Sequence, residues 1–92
     1  MGFWDFSDDT KEAIKREKVR DLEGHLRELE RDYYKIESEL DSLKRGLRSA
    51  EMGNNDRLAK DYDYDIRRVE CELRYIENKV DSVKSDIRYY SW

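Results

Sequence analysis

The sequence predicts an all-α fold, a two-helix antiparallel coiled-coil hairpin. Apolar residues recur at alternating steps of three and four residues through most of the chain, the chain contains no proline, and one cluster of turn-forming residues, MGNND, lies near its middle. Alternating steps of three and four place side chains on one face of a helix and define the a and d positions of a heptad repeat. Two such stripes joined by a turn indicate two helices that pack against each other.

The first helix is predicted over about residues 9–51. Asp9 and Glu12 have the spacing of a capping box, which favours a helix start at that point. Gly24 and Gly46 lie off the apolar stripe, so neither interrupts it. The stripe consists of Val19, Leu22, Leu26, Leu29, Tyr33, Ile36, Leu40, Leu43, Leu47 and Ala50.

A turn is predicted at residues 52–56 and a second helix over about residues 57–90. The turn contains Gly53 followed by two asparagines, residues that tolerate left-handed backbone and end helices. The second stripe consists of Ala59, Tyr62, Ile66, Val69, Leu73, Ile76, Val80, Val83, Ile87 and Tyr90.

A single register pairs the two stripes. Facing residues, from Val19 with Tyr90 to Ala50 with Ala59, all have numbers that sum to 109, so the chain must fold back between Asn54 and Asn55. The turn residues and the heptads therefore agree independently. This register brings four opposite charges within reach of each other, which favours it: Glu23 with Lys84, Asp32 with Lys79, Lys44 with Asp63, and His25 with Asp86. Glu37 near Glu70 and Glu39 near Glu72 count against it.

Composition limits the classes of function. The 92 residues suit one small domain, residues 1–92, in which 1–8 form an aromatic N-terminal arm. Acidic and basic residues alternate at short range with a net charge of -4, so nucleic acid is not an expected partner. The single cysteine, Cys71, excludes an internal disulfide and favours a reducing, cytoplasmic location. No apolar run is long enough to cross a bilayer.

No catalytic, cofactor-binding or metal-binding residues are predicted. His25 is the only histidine, and it has no nucleophile or orienting group beside it. Cys71 lies at an exposed heptad position without a neighbouring lysine or histidine to activate it. The mid-chain glutamates divide between opposite flanks of the hairpin, so they favour a solvated surface and not a cation site.

The two ends of the chain carry the candidate contact site. An antiparallel hairpin brings both ends to one tip, where we expect a partner-binding cluster of Phe3, Trp4, Phe6, Ile14, Tyr89, Tyr90 and Trp92. The first helix begins well before the partner of Tyr90, which leaves Ile14 without a facing helix. An alternative is that the arm folds back as a plug. Membrane contact ranks third, because Asp5, Asp8 and Asp9 oppose an anionic surface.

These features predict a non-enzymatic protein–protein interaction module, an adaptor, spacer or assembly subunit shaped as a rod about 50–60 Å long. The expected partner is another protein, and pairing between two copies of the chain stays open. The alternative is a small secretion-system or phage-type accessory or chaperone protein, because WXG100-like proteins are also helical hairpins of about this length. That resemblance is to architecture: the turn reads EMGNN instead of Trp-x-Gly, and the Tyr-xxx-acidic spacing, Tyr33 to Glu37, lies inside the first helix.

Overall fold

The protein is an antiparallel helical hairpin, as the sequence predicts. The computed structural model describes residues 8–91, which form helix α1, Asp8–Met52, and helix α2, Asp56–Tyr90. Both helices lie within one or two residues of their predicted bounds. Asp9, expected as the cap, lies instead inside the first turn of α1, where a carboxylate is favoured by the positive end of the helix dipole.

The turn between the helices is a Schellman motif followed directly by a helix cap. Asn54 is the only residue other than glycine with a positive φ, 55°, among those described. Its N–H donates to the carbonyl of Glu51 at 3.1 Å, and the N–H of Asn55 donates to the carbonyl of Ala50 at 2.9 Å. The Asn55 side chain then accepts from the N–H of Leu58 at 3.2 Å and caps α2. Asn54, and not Gly53, therefore supplies the left-handed residue.

The heptad stripes form the seam between the helices, and every stripe residue is buried or half-buried. The residues of α2 are covered more completely than those of α1, and among the described residues only Val69 has no exposed surface. The buried members are Leu29, Ala50, Ile66, Val69, Leu73, Ile76 and Val83. Burial of this apolar seam is the main term that holds so charged a chain in a hairpin.

Contacts between the helices agree with the predicted register. Tyr33 hydrogen-bonds Glu77, the ring of Tyr62 lies against Gly46, and Lys18 lies over the ring of Tyr90. The numbers of these pairs sum to 110, 108 and 108, each within one position of the predicted 109. The fold-back point between Asn54 and Asn55 is confirmed by the turn.

Gly46 makes a close contact that the heptad pattern does not identify. A methyl group added at its Cα would lie 2.5 Å from two ring carbons of Tyr62, so the ring occupies the space that any larger residue would fill. Gly24 lies in the first half of α1. A methyl group added there would have only the end of the Arg27 side chain nearby, at 4.0 Å. The two glycines therefore have different structural roles.

The hairpin is a rod of unequal helices. It measures 69 × 18 × 17 Å, longer than the predicted 50–60 Å, because α1 has 45 residues and α2 has 35. At about 1.5 Å per residue, the additional turns of α1 extend roughly 16 Å beyond the layer of Val19 and Tyr90. We call residues 8–18 the overhang and the end of the rod at this layer the tip.

The charged residues that the register brings within reach across the hairpin do not form ion pairs in the described structure. None of the four lies within 4.0 Å, and the ion pairs found within residues 12–91 join neighbours along α2: Arg67 with Asp63, Arg68 with Asp65 and Arg68 with Glu72. Partners three or four residues apart on one helix meet with little loss of side-chain freedom. An exposed pair that spans two helices gains little to offset that loss.

Candidate functional site

The tip contains the C-terminal tyrosines of α2. Tyr89 and Tyr90 meet edge to face, with ring centroids 5.0 Å apart and planes at 90°. Tyr90 is half-buried at the last seam layer, whereas Tyr89 is 69% exposed. The ammonium group of Lys18 lies 5.9 Å from the centroid of the Tyr90 ring, at the outer limit of a cation–π contact. Tyr90 therefore closes the seam, and Tyr89 presents an aromatic surface to solvent.

The structure places three of the predicted contact residues. Tyr89 and Tyr90 lie at the tip, and Ile14 lies on the overhang, half-buried and beyond the last residue of α2 that could face it. The other four predicted residues, Phe3, Trp4, Phe6 and Trp92, lie outside the described residues. The cluster of residues from both ends of the chain therefore stays a prediction. The structure shows that the start of α1 and the end of α2 lie at the same end of the rod.

The overhang continues the seam with charged residues. The heptad positions that precede Val19 are occupied by Lys15 and Glu12, which line an open groove together with Tyr90 and Ser91. A coiled-coil partner on this face would need charged or polar residues opposite them. Ile14 lies on a neighbouring face of α1. The apolar surface of the overhang therefore lies beside its charged surface.

Basic side chains, together with Glu12 and Glu23, line the groove at the C-terminal end of α2. Lys15, Arg16 and Arg20 line the same groove as Tyr90 and Ser91, and none of them makes an ion pair within 4.0 Å in the structure. The C-terminus of a helix carries the negative end of its dipole, which such cations stabilise.

A polar contact crosses the seam in the middle of the rod. The hydroxyl of Tyr33 donates to Oε1 of Glu77 at 3.3 Å, and the ring of Tyr33 meets Tyr34 edge to face at 5.9 Å. Burial of the hydroxyl beside the seam, followed by the negative charges of Glu77 and Glu37, raises the pKa of Tyr33 above its ordinary value. Tyr33 is therefore a neutral hydrogen-bond donor at physiological pH.

This raised pKa predicts a loss of stability in alkali. The contribution of neutral Tyr33 is complete below the pKa of about 10 that tyrosine has in the unfolded chain, and it is lost as the pH rises above that value. Between pH 9 and 11 we expect Tyr33→Phe to lose less stability than the wild type, measured by urea unfolding at each pH. Tyr34→Phe keeps the Glu77 contact and should follow the wild type. Identical curves for wild type and Tyr33→Phe would contradict the assignment.

A second groove lies on one flank of the rod, around Tyr75. Its floor contains the seam residues Leu29, Ile36 and Ile76, and Tyr75 lies at its edge with 60% of its surface exposed. The ammonium group of Lys79 lies 4.6 Å from the centroid of the Tyr75 ring. The heptad analysis identifies Tyr75 as exposed. It does not identify this groove, because residues of both helices line it. We call it the Tyr75 groove.

The described residues contain no group of histidine, cysteine, aspartate or glutamate side chains that could hold a metal ion. Cys71 is a free, exposed thiol that accepts a hydrogen bond from Arg74 at 3.6 Å. Neither described helix contains a stretch that is both long and apolar enough to span a membrane.

Comparison of the chain with protein-family models, with curated proteins and with solved structures gives no match. The geometry of the rod therefore carries the functional proposal.

Proposed function

We propose that the protein is a non-enzymatic interaction module that binds another protein through the tip of a rigid helical rod. It would act as an adaptor, a spacer or a subunit of a larger assembly, and the single cysteine favours a cytoplasmic location. The observation that carries this proposal is the unequal length of the helices. Among the described residues it leaves the overhang without a facing helix, beside the exposed ring of Tyr89.

The chemistry of the tip suits a protein partner. Tyrosine contributes a large, rigid contact area with a polar end, and it is common among the residues that dominate binding energy in interfaces. Lys15, Arg16 and Arg20 beside it can pair with carboxylates of a partner, because they make no ion pair within the hairpin. The grooves of a rod about 18 Å thick lie open to water, which supports binding over catalysis.

Tyr89→Ala tests the proposal, with Tyr64→Ala as the matched control. Both tyrosines lie on α2 with similar exposure, 69% and 71%, but Tyr64 lies on the outward face far from the tip. The tagged full-length chain is used to capture partners from lysate of the source cells, with quantification by mass spectrometry. Tyr89→Ala should reduce capture of a specific partner about tenfold or more, and Tyr64→Ala should not.

Thermal unfolding of the same variants distinguishes a binding site from a plug. A binding tip predicts that Tyr89→Ala changes the Tm by less than about 4 °C, the shift for roughly 1 kcal/mol in a domain of this size. A tip that only closes the hairpin predicts a larger fall in Tm with capture unchanged, and that result would refute the proposal. Trp4→Ala and Trp92→Ala extend the comparison to the predicted residues outside the described region.

The secretion-system or phage-type alternative shares only the hairpin architecture. In that class the Tyr-xxx-acidic spacing lies in a C-terminal tail, but Tyr33 lies in the middle of α1 and bonds Glu77 of the other helix. A contact between the two helices accounts for Tyr33 without this resemblance. The interaction module therefore stays the preferred function.

A further inference from the structure

We propose that the Tyr75 groove is a lateral docking site for an amphipathic helix of another protein, with an apolar stripe flanked by lysine or arginine. This inference rests on the proposed function, because it adds a second contact to an interaction module. The site lies in the middle of the rod, several turns from the tip, so the two contacts are structurally separate and can be tested separately.

The lining of the groove favours an apolar ligand face. Leu29 and Ile76 form its floor together with half-exposed Ile36. It is open to solvent along the rod, so it does not enclose a small molecule as a ligand pocket does. An open apolar groove between two helices is the place where a third helix adds to a coiled coil.

The edges of the groove are acidic, which determines the charge of the partner. Asp32 of α1 and Glu72 of α2 line opposite edges, and the next position along α1 on this flank is Glu39. Glu72 already pairs with Arg68 of its own helix at 3.7 Å, whereas neither Asp32 nor Glu39 makes an ion pair within 4.0 Å in the described hairpin. The one basic residue of the lining, Lys79, lies over the Tyr75 ring. Basic residues that flank an apolar stripe would complement this arrangement.

The same charges disfavour a second copy of the chain. A second copy would present the same lining, in which the carboxylates Asp32 and Glu72 outnumber the one lysine, so a basic helix complements the groove better. The groove on the opposite flank is a poorer docking site. Charged residues make up most of its lining, and the hydroxyl of Tyr33 within it already bonds Glu77.

The test uses two synthetic helical peptides with identical apolar stripes. One has leucine or isoleucine at a and d and lysine at e and g, where mutual repulsion of the lysines prevents self-association. The other has glutamate at e and g. Each peptide is labelled and titrated with the full-length chain, and binding is followed by fluorescence anisotropy at 150 mM NaCl. We expect the lysine peptide to bind and the glutamate peptide to bind at least about tenfold more weakly.

Tyr75→Lys and Tyr34→Lys locate the bound peptide. The two tyrosines have similar exposure, 60% and 66%, and lie on opposite flanks of the rod. Tyr75→Lys should weaken binding of the lysine peptide about tenfold, and Tyr34→Lys should leave it within about twofold of the wild type. Circular dichroism verifies that both variants fold, and Tyr75→Ala, which removes the ring without adding charge, should weaken binding in the same direction.

Three results would overturn the inference: no binding of the lysine peptide, equal binding of both peptides, or equal loss in Tyr75→Lys and Tyr34→Lys. The last result would mean that the peptide opens the hairpin and replaces one helix, since that process depends on neither flank. Tyr89→Ala leaves the groove intact and should bind the lysine peptide normally. Peptide binding at the Tyr75 groove can therefore be refuted while the tip still captures a partner. Capture at the tip can likewise be refuted while the groove still binds the peptide.

Discussion

Leu73→Ala is expected to destabilise the hairpin by about 2–4 kcal/mol, whereas Leu58→Ala on the same helix should cost less than about 1 kcal/mol. Leu73 is 7% exposed in the seam, and Leu58 is 41% exposed beside it. Removing the buried side chain loses its transfer free energy and leaves space that two helices cannot fully close. Urea unfolding followed by circular dichroism at 222 nm measures both effects.

The comparison of Leu73 with Leu58 tests the seam itself. Both substitutions replace leucine with alanine in α2, so they change intrinsic helix propensity by the same amount. Their difference therefore reports burial alone. Because a domain of 92 residues has little stability to lose, Leu73→Ala should leave a substantial unfolded fraction at room temperature. Equal effects at the two positions would mean that the helices are not held by the predicted stripe.

Gly46→Ala and Gly24→Ala are expected to change stability in opposite directions. Alanine is favoured over glycine inside a helix by about 1 kcal/mol, so Gly24→Ala, with open space around the added methyl group, should stabilise the hairpin by roughly that amount. At Gly46 the methyl group would lie 2.5 Å from the Tyr62 ring. Displacing that ring from the seam should outweigh the gain and give a net loss of about 1–3 kcal/mol.

A double-mutant cycle identifies Tyr62 as the cause. In a Tyr62→Ala background the ring is absent, so Gly46→Ala should become stabilising, as Gly24→Ala is in the wild type. Urea unfolding of the four combinations at positions 46 and 62 gives the coupling energy directly. A coupling close to zero, or a stabilising Gly46→Ala in the wild-type background, would show that the ring moves aside without cost.

The hairpin and its register could be predicted from the sequence because both follow from one repeated interval. A step of three or four residues identifies a helical face, and two uninterrupted stripes that meet at a turn allow only one alignment. The constant sum of 109 gives the partners of Val19 and Ala50, and it also gives the fold-back point beside Asn54. No single interaction had to be estimated correctly for this result.

Contacts beside the seam could not be predicted in the same way. The pattern assigns Tyr62 to the seam but does not determine which neighbour its ring covers, so the role of Gly46 was not identified. The register brings Asp32 within reach of Lys79, but the Lys79 ammonium group lies over the Tyr75 ring of its own helix. Such exposed contacts differ by less than about 1 kcal/mol, and heptad position alone does not rank them.

The positions of three candidate contact residues could be predicted, but their surroundings could not. Helix lengths and the turn position were enough to place Tyr89, Tyr90 and Ile14 at one end of the rod. The basic side chains around Tyr90 and the Tyr75 groove depend on how residues of both helices lie side by side. The apolar stripe of one helix does not show which side chains of the other helix lie beside it.

The constant register has a consequence for the order in which the protein folds. Contacts near Asn54 join residues only a few positions apart, whereas Val19 and Tyr90 are separated by most of the chain. Closing a loop costs more entropy as it lengthens, so pairing should start at the turn and proceed along the rod. In hydrogen exchange the amides near the end of α2 should therefore open first. The end of the rod that we propose binds a partner is also the end that is ordered last, and a bound partner would slow its opening.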